Sequence, residues 1–233
     1  GFVDAIAGGG GLITVPIMFL AGINPIAALA TNKVQGIFGA ATAAITYARG
    51  GHVNLREQAG PALISFVAAF VGALLITTLP TDFIRLLLPF LLIAIALYFA
   101  LKKGLNDADR KRRISASLFT ATLVPIVGFY DGLLGPGTGS FFMLGFVTLA
   151  GYGILKATAH TKLLNFASNA GGLLAFAIFA TPLWFTGLAM GSAQIAGALL
   201  GASLAQKIGA KLIEPLLVVT SLGLATKLLF DLF

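Results

Sequence analysis

The chain is poor in charge and has no cysteine: of 233 residues, 10% are Asp, Glu, Lys or Arg. Without cysteine there is no disulfide or thiolate chemistry, and this absence marks no compartment. Histidine is nearly absent too, with His52 in a connector and His160 in an apolar stretch. No close ligand spacing surrounds either, so no metal centre is expected. The string GPGTGS from residue 135 lacks the lysine followed by Ser or Thr that a phosphate loop needs, which removes nucleotide binding. No nucleophile stands with a base at a matched depth. The chain is therefore read as neither an enzyme nor a cofactor carrier.

Scarce charge goes with abundant apolar residues, 58% of the chain, more than a soluble domain of this size would tolerate on its surface. A membrane span needs about 20 mostly apolar residues to cross roughly 30 Å of hydrocarbon. Apolar segments run at about 12–21, 25–48, 58–79, 83–101, 114–134, 140–151, 154–180, 183–206 and 211–232. Residues 63–79 and 83–101 are apolar on nearly every side, whereas a barrel strand would alternate. The expected fold is an all-α polytopic membrane protein whose partner is the lipid bilayer. The net charge of +7 lies mainly in connectors, so it reads as a signal of membrane orientation and not of nucleic-acid binding. Six of the fifteen Lys and Arg fall within residues 102–113, KKGLNDADRKRR, expected to be a basic cytoplasmic linker.

A signature recurs on either side of that linker. The first copy reads GFVDAIAGGGG and then AALATNK, ending at Lys33; the second reads GFYDGLLGPGTG and then KATAHTK, ending at Lys162. Gly22 matches Gly151, the GALL at Gly72 matches that at Gly197, and Pro89 matches Pro215. Two repeats are expected, residues 1–101 and 114–233. Internal duplication is common in secondary transporters, where the substrate site lies between repeats near the bilayer midplane. If segments 12–21 and 140–151 return fully across the membrane, the second repeat is inverted; if they are re-entrant, the repeats are parallel. The distribution of basic residues favours inversion and the shortness of the two segments opposes it. The apolar stretch 114–127 has no counterpart before Gly1, so a segment completing the first helix is expected upstream.

Asp4, Lys33, Asp131 and Lys162 are the charges set within apolar sequence. A charge at the bilayer centre costs on the order of 2.5 to 3.5 kcal/mol, so such groups face a partner or a wet cavity. They form either a functional site or buried salt bridges that fix packing. The glycine clusters at 8–11 and 135–139 are expected to break helices at depth, since glycine and proline disfavour a helix interior. A helix starting after each break would aim free N–H groups and its positive dipole end into a cavity. Short polar side chains flank each lysine: Thr31, Asn32 and Gln35 in one copy, His160, Thr161, Asn165, Ser168 and Asn169 in the other. Thr161, Asn165, Ser168 and Asn169 recur every three to four residues and share a helix face. His160 serves either proton movement or a structural hydrogen bond. Ala193, Gly197 and Gly201 read as helix packing.

Taken together, GFVDAIAGGGGLITVP, ATNKVQGIFGA, GFYDGLLGPGTGSF and ATAHTKLLNFASN resemble the sulfite exporter TauE/SafE family of membrane permeases, over nearly the whole chain. That resemblance implies a duplicated helical permease for small sulfur-containing anions, such as sulfite or organosulfonates, in the bacterial inner membrane. The expected substrate site comprises Gly9, Gly10, Gly11, Asn32, Lys33, Gly137, Thr138, Gly139, Thr161, Lys162, Asn165, Ser168 and Asn169. Asp4, Asp131 and His160 are expected to balance charge or couple protons. A membrane potential, negative inside, favours expelling each negative charge by roughly 2.3 kcal/mol per 100 mV, so export is the expected direction. The alternatives are proton-coupled uptake of another small anion and a non-transporting structural subunit.

Overall fold

The computed structural model describes residues 1–80, 90, 106–213, 215 and 216. Among these the principal helices are α1 (Phe2–Ala7), α2 (Gly10–Leu20), α3 (Pro25–Arg49), α4 (Ala59–Thr78), α5 (Ala116–Leu133), α6 (Thr138–Thr148), α7 (Ile154–Phe179) and α8 (Trp184–Ile208). No strand occurs among the described residues. The expected segment 83–101 apart from Phe90, with Pro89 in it, and most of 211–232 lie outside them.

Local chemistry sets the helix ends. Asn24 Oδ1 accepts from Ile26 N at 3.0 Å and Pro25 occupies the first turn, so α3 starts with a side-chain cap and a pre-set φ. Ser115 Oγ caps α5 by accepting from Leu118 N at 3.1 Å. α1 stops at Gly8, whose φ of 71° is left-handed. The glycine clusters are shorter breaks than expected. Gly10 and Gly11 already belong to α2, and Thr138 and Gly139 to α6, leaving Gly8, Gly9 and residues 134–137 as the non-helical links.

Contacts between helices give their directions. Leu183 N donates to Thr31 Oγ1 at 2.9 Å, Gln194 Nε2 to Gln35 Oε1 at 3.3 Å, and Gln206 Nε2 to Thr46 O at 3.3 Å. Residue numbers rise together, so α8 runs parallel to α3. Likewise α5 runs parallel to α4, because Gly128 packs on Ser65 and Gly132 on Ala69. By contrast, Lys33 lies against Gly172 while Gly36 lies against Asn169, so α3 and α7 run antiparallel. Arg110 N donates to Gly151 O at 2.6 Å and Arg113 N to Leu149 O at 2.9 Å. These bonds put the end of α6 beside the start of α5, so the pair forms a hairpin that enters the bundle and returns to the same side.

The glycines of the two GALL segments sit in close contacts: a Cβ on Gly72 would meet Phe129 O, one on Gly201 would meet Phe2 O, and one on Gly197 would meet Phe2 N. Gly197 and Gly201 serve close packing of α8 on α1, as small residues do between membrane helices.

Four of these helices, α4, α5, α7 and α8, are long and apolar enough to cross a membrane. Leu63, Val67, Val71 and Leu75 are all exposed along α4 at four-residue spacing, an apolar stripe suited to lipid. Helix α3 has 25 residues, about 37 Å at 1.5 Å each, but carries buried Thr31, Asn32, Lys33 and Gln35.

The linker is more than a basic connector. Gly153, at the start of α7, has no side chain to cap with, and Asp109 Oδ1 supplies the cap by accepting from Gly153 N at 2.7 Å. Asp109 Oδ2 accepts from Lys156 Nζ at 2.7 Å, and Asp107 Oδ2 accepts from Ala210 N at 2.8 Å. The Lys156 ammonium first, then the Gly153 N–H, hold the Asp109 carboxyl below its usual range. A depressed pKa gives stabilisation that is present above the unfolded value, about 3.9, and is lost as pH falls through the folded value. Asp109→Asn is therefore expected to speed amide exchange at residues 153–156 at neutral pH. The difference from wild type should shrink below about pH 4, as hydrogen exchange with mass spectrometry will register.

Candidate functional site

Both helix breaks meet at the centre of the bundle. Ser140 Oγ donates to Ala7 O at 2.6 Å, and a Cβ on Gly8 would stand 2.5 Å from the Gly139 carbonyl carbon. Only glycine at both positions allows this approach. Around the junction lies a cavity of about 20 Å³ lined by Asp4, Asn32, Gln35, Asp131, Asn165, Asn169, Gln194 and the break glycines, Gly11, Gly137 and Gly139 among them. That volume holds about one water. A larger solute therefore needs the site to widen.

The charged pairs cross between the two halves of the chain. Lys33 Nζ, from α3, donates to Asp131 Oδ1 of α5 at 2.6 Å, and both residues are buried. The Thr138 hydroxyl adds a 2.8 Å contact to the same oxygen. Lys162 Nζ, from α7, donates to the main-chain oxygen of Asp4 in α1. The Asp4 carboxylate is used differently: Oδ1 accepts from Gly10 N at 3.1 Å, at the first turn of α2, where a negative charge is favoured. Each half thus ties its long helix to the other half's break, one through an ion pair and the other through a backbone carbonyl.

The sequence-predicted residues separate into three sets. Gly11, Asn32, Gly137, Gly139, Asn165 and Asn169 line the cavity, together with Asp4 and Asp131. Lys33, Lys162, Gly10 and Thr138 stand directly behind it, bonded to those aspartates. Gly9 caps α2, Ser168 Oγ donates to Asn165 O within its own helix at 3.1 Å, and Thr161 is buried with its hydroxyl unpartnered. His160 is elsewhere. Its Nδ1 lies 2.9 Å from Lys156 O, and its ring meets Tyr152 and Phe146 edge-on in a second cavity of about 220 Å³ at the linker side. A histidine at this position cannot touch the central cavity, because α7 places it on the side facing α6 and the linker.

Sequence reading left out Gln194 and Gly36, and it named Gly8, Gln35 and Gly135 without placing them in the expected substrate site, although all five line the cavity. Gln194 is buried and lines the cavity; a lone amide within the apolar run MGSAQIAGALL was the available signal. Gly36 makes room for Asn169, whose Oδ1 would lie 2.7 Å from a Cβ there.

The comparisons with known proteins point one way. The family described as "Sulfite exporter TauE/SafE" matches residues 1–228. A "Probable membrane transporter protein ORF9" of Sinorhizobium sp is 58% identical over 99% of this chain and 88% of its own length. The "Probable membrane transporter protein YfcA" of Escherichia coli K12 is 46% identical over 99% of this chain and 86% of its own. A "Probable membrane transporter protein" of Haemophilus influenzae is 42% identical, with 99% and 90% covered. No solved structure matches the chain. With four helices long and apolar enough to cross a membrane, a polar site among buried charges and a match over almost every residue, the chain belongs to the sulfite exporter TauE/SafE family and is a multi-pass membrane transporter.

Proposed function

We propose that the chain is a permease for small sulfur-containing oxyanions, sulfite or organosulfonates, in the bacterial inner membrane, built as an inverted duplication around the central cavity. The observation that carries this reading is the meeting of two helix N-termini there, with Gly11 of α2 and Gly139 of α6 both in the lining. Helix N-termini present unsatisfied N–H groups and partial positive charge, which suits an oxyanion. Lys33 and Lys162 stand one residue behind, close enough to reach an anion once the aspartates release them. The doubled order of helix, break, 11-residue helix and long helix supports duplication, and the antiparallel α3 and α7 support inversion. Family membership supports the substrate class and the inner-membrane placement.

Export follows from the potential only if the anion travels alone. A proton travelling with it would change the direction, and the lining aspartates favour that second reading.

The test uses purified protein in detergent and in liposomes. Sulfite or ethanesulfonate is expected to raise the melting temperature, and no stabilisation by either would remove the anion reading. Lys162→Ala is expected to lower ethanesulfonate flux at least tenfold. Its stability cost should be modest, about 1.5 to 3 kcal/mol for one hydrogen bond from a charged group, because the Asp4 carbonyl it leaves is neutral. Wild-type flux in Lys162→Ala would take this lysine out of the path.

A further inference from the structure

We propose that the central cavity is the binding site of one proton, carried on Asp131 Oδ2, and that this proton travels with each anion. The inference rests on the anion reading above and names its coupling ion.

Asp131 lines this cavity and is buried, and its Oδ2 has no partner among the protein's groups, although Oδ1 accepts from Lys33 and Thr138. An unsatisfied buried acceptor is costly, and a proton on Oδ2 turns it into a donor. A hard metal cation fits poorly, since such ions take about six or more oxygens. No cluster of three or more ligating side chains occurs among the described residues.

Charge balance gives the proton its role. With Asp131 ionised, Lys33 is neutralised, and an anion arriving in a site of low dielectric would meet no net positive charge. When water on the open side delivers a proton to Oδ2, the carboxyl becomes neutral. Lys33 keeps its three protons and turns to the anion. The loaded site, with ammonium, carboxylic acid and anion, then has the same net charge as the empty one. Proton and anion promote each other's binding by the same factor. For a monoanion the carried charge is zero, so voltage does not drive it, and an inward proton gradient favours uptake.

The other titratable groups around Asp131 are few. Lys33 faces it from α3, and Asp4 of α1 lines the same cavity with Lys162 of α7 bonded behind it. Tyr130, its neighbour on α5, donates to Pro136 O at 2.5 Å. α2, α4 and α6 carry no titratable residue, and α8 none within its buried stretch.

Liposomes holding the wild-type protein and a trapped pH dye test this with labelled ethanesulfonate, a monoanion at every pH used. An inward proton gradient at zero potential is expected to raise uptake severalfold, with about one proton entering per anion. A potassium diffusion potential alone should leave uptake unchanged. In detergent, wild-type affinity is expected to weaken as pH rises, approaching tenfold per pH unit, the linkage of one proton, while Asp131→Asn shows no slope. Flux that follows voltage or a sodium gradient and ignores pH overturns proton coupling and leaves the anion reading standing. Absence of ethanesulfonate and sulfite binding and flux under every condition overturns both.

Discussion

Lys33→Ala is expected to destabilise the protein by about 3 to 5 kcal/mol and to abolish anion flux, because it leaves the Asp131 carboxylate buried without its partner. The stability loss belongs to the orphaned charge more than to the lost contact. Lys33→Ala combined with Asp131→Asn is therefore expected to recover most of the stability, since removing both charges of a buried pair is often near neutral. Transport should not recover with it, because the double variant has neither the cation nor the carboxylate that the anion site needs. Thermal melts in detergent and liposome flux on the same preparations separate the two effects. Wild-type flux in the double variant would reduce the pair to a packing element. Equal instability of single and double variants would mean that Lys33 stabilises by its aliphatic chain against Gly172 and not by its charge.

Gly8→Ala is expected to cost about 2 to 5 kcal/mol, the sum of a left-handed conformation for a residue with a Cβ and an overpacked contact. At a φ of 71° the new methyl would lie 2.5 to 2.7 Å from three backbone atoms of Gly139 and Ser140. No rotamer change relieves a clash with backbone, so the two breaks must separate. The same substitution at Gly22, also left-handed with a φ of 78°, meets nothing within 4 Å. Gly22→Ala should then show only the conformational cost, about 1 to 2 kcal/mol. Similar losses in the two variants would mean that the breaks do not need to touch. If Gly8→Ala folds, its expected defect is a cavity that no longer closes, seen as leak of ethanesulfonate in either direction.

Composition and pattern made some of this legible in advance. The all-helical fold followed from apolar runs with no alternation, and most helix limits fell within two residues of the expected ones, as with 58–79 against Ala59–Thr78. The buried charges were legible because four ionisable residues stood in sequence that otherwise avoids them. The polar face of α7 was readable from its three-to-four residue spacing, and Asn165 and Asn169 do line the cavity. His160 shows the limit of such reading. It is adjacent in sequence to that face, yet one residue along a helix turns a side chain by about 100°, which puts it in another cavity.

Sequence alone determined that this chain is a helical membrane protein, that two glycine breaks and two Asp–Lys sets exist, and that they lie at matched places. These are properties of composition and order, which local physics reads directly. Only the tertiary structure decided that the sets cross, with Lys33 on Asp131 and Lys162 on the Asp4 carbonyl. It also decided that the lysines stand behind the aspartates and that Gln194 completes the lining. Pairing across 98 and 158 residues is fixed by which helices pack and in which direction, and no local pattern carries that information. The antiparallel crossing of α3 and α7 does. It brings each long helix's lysine to the other half's break, where the low dielectric makes the choice of partner decisive.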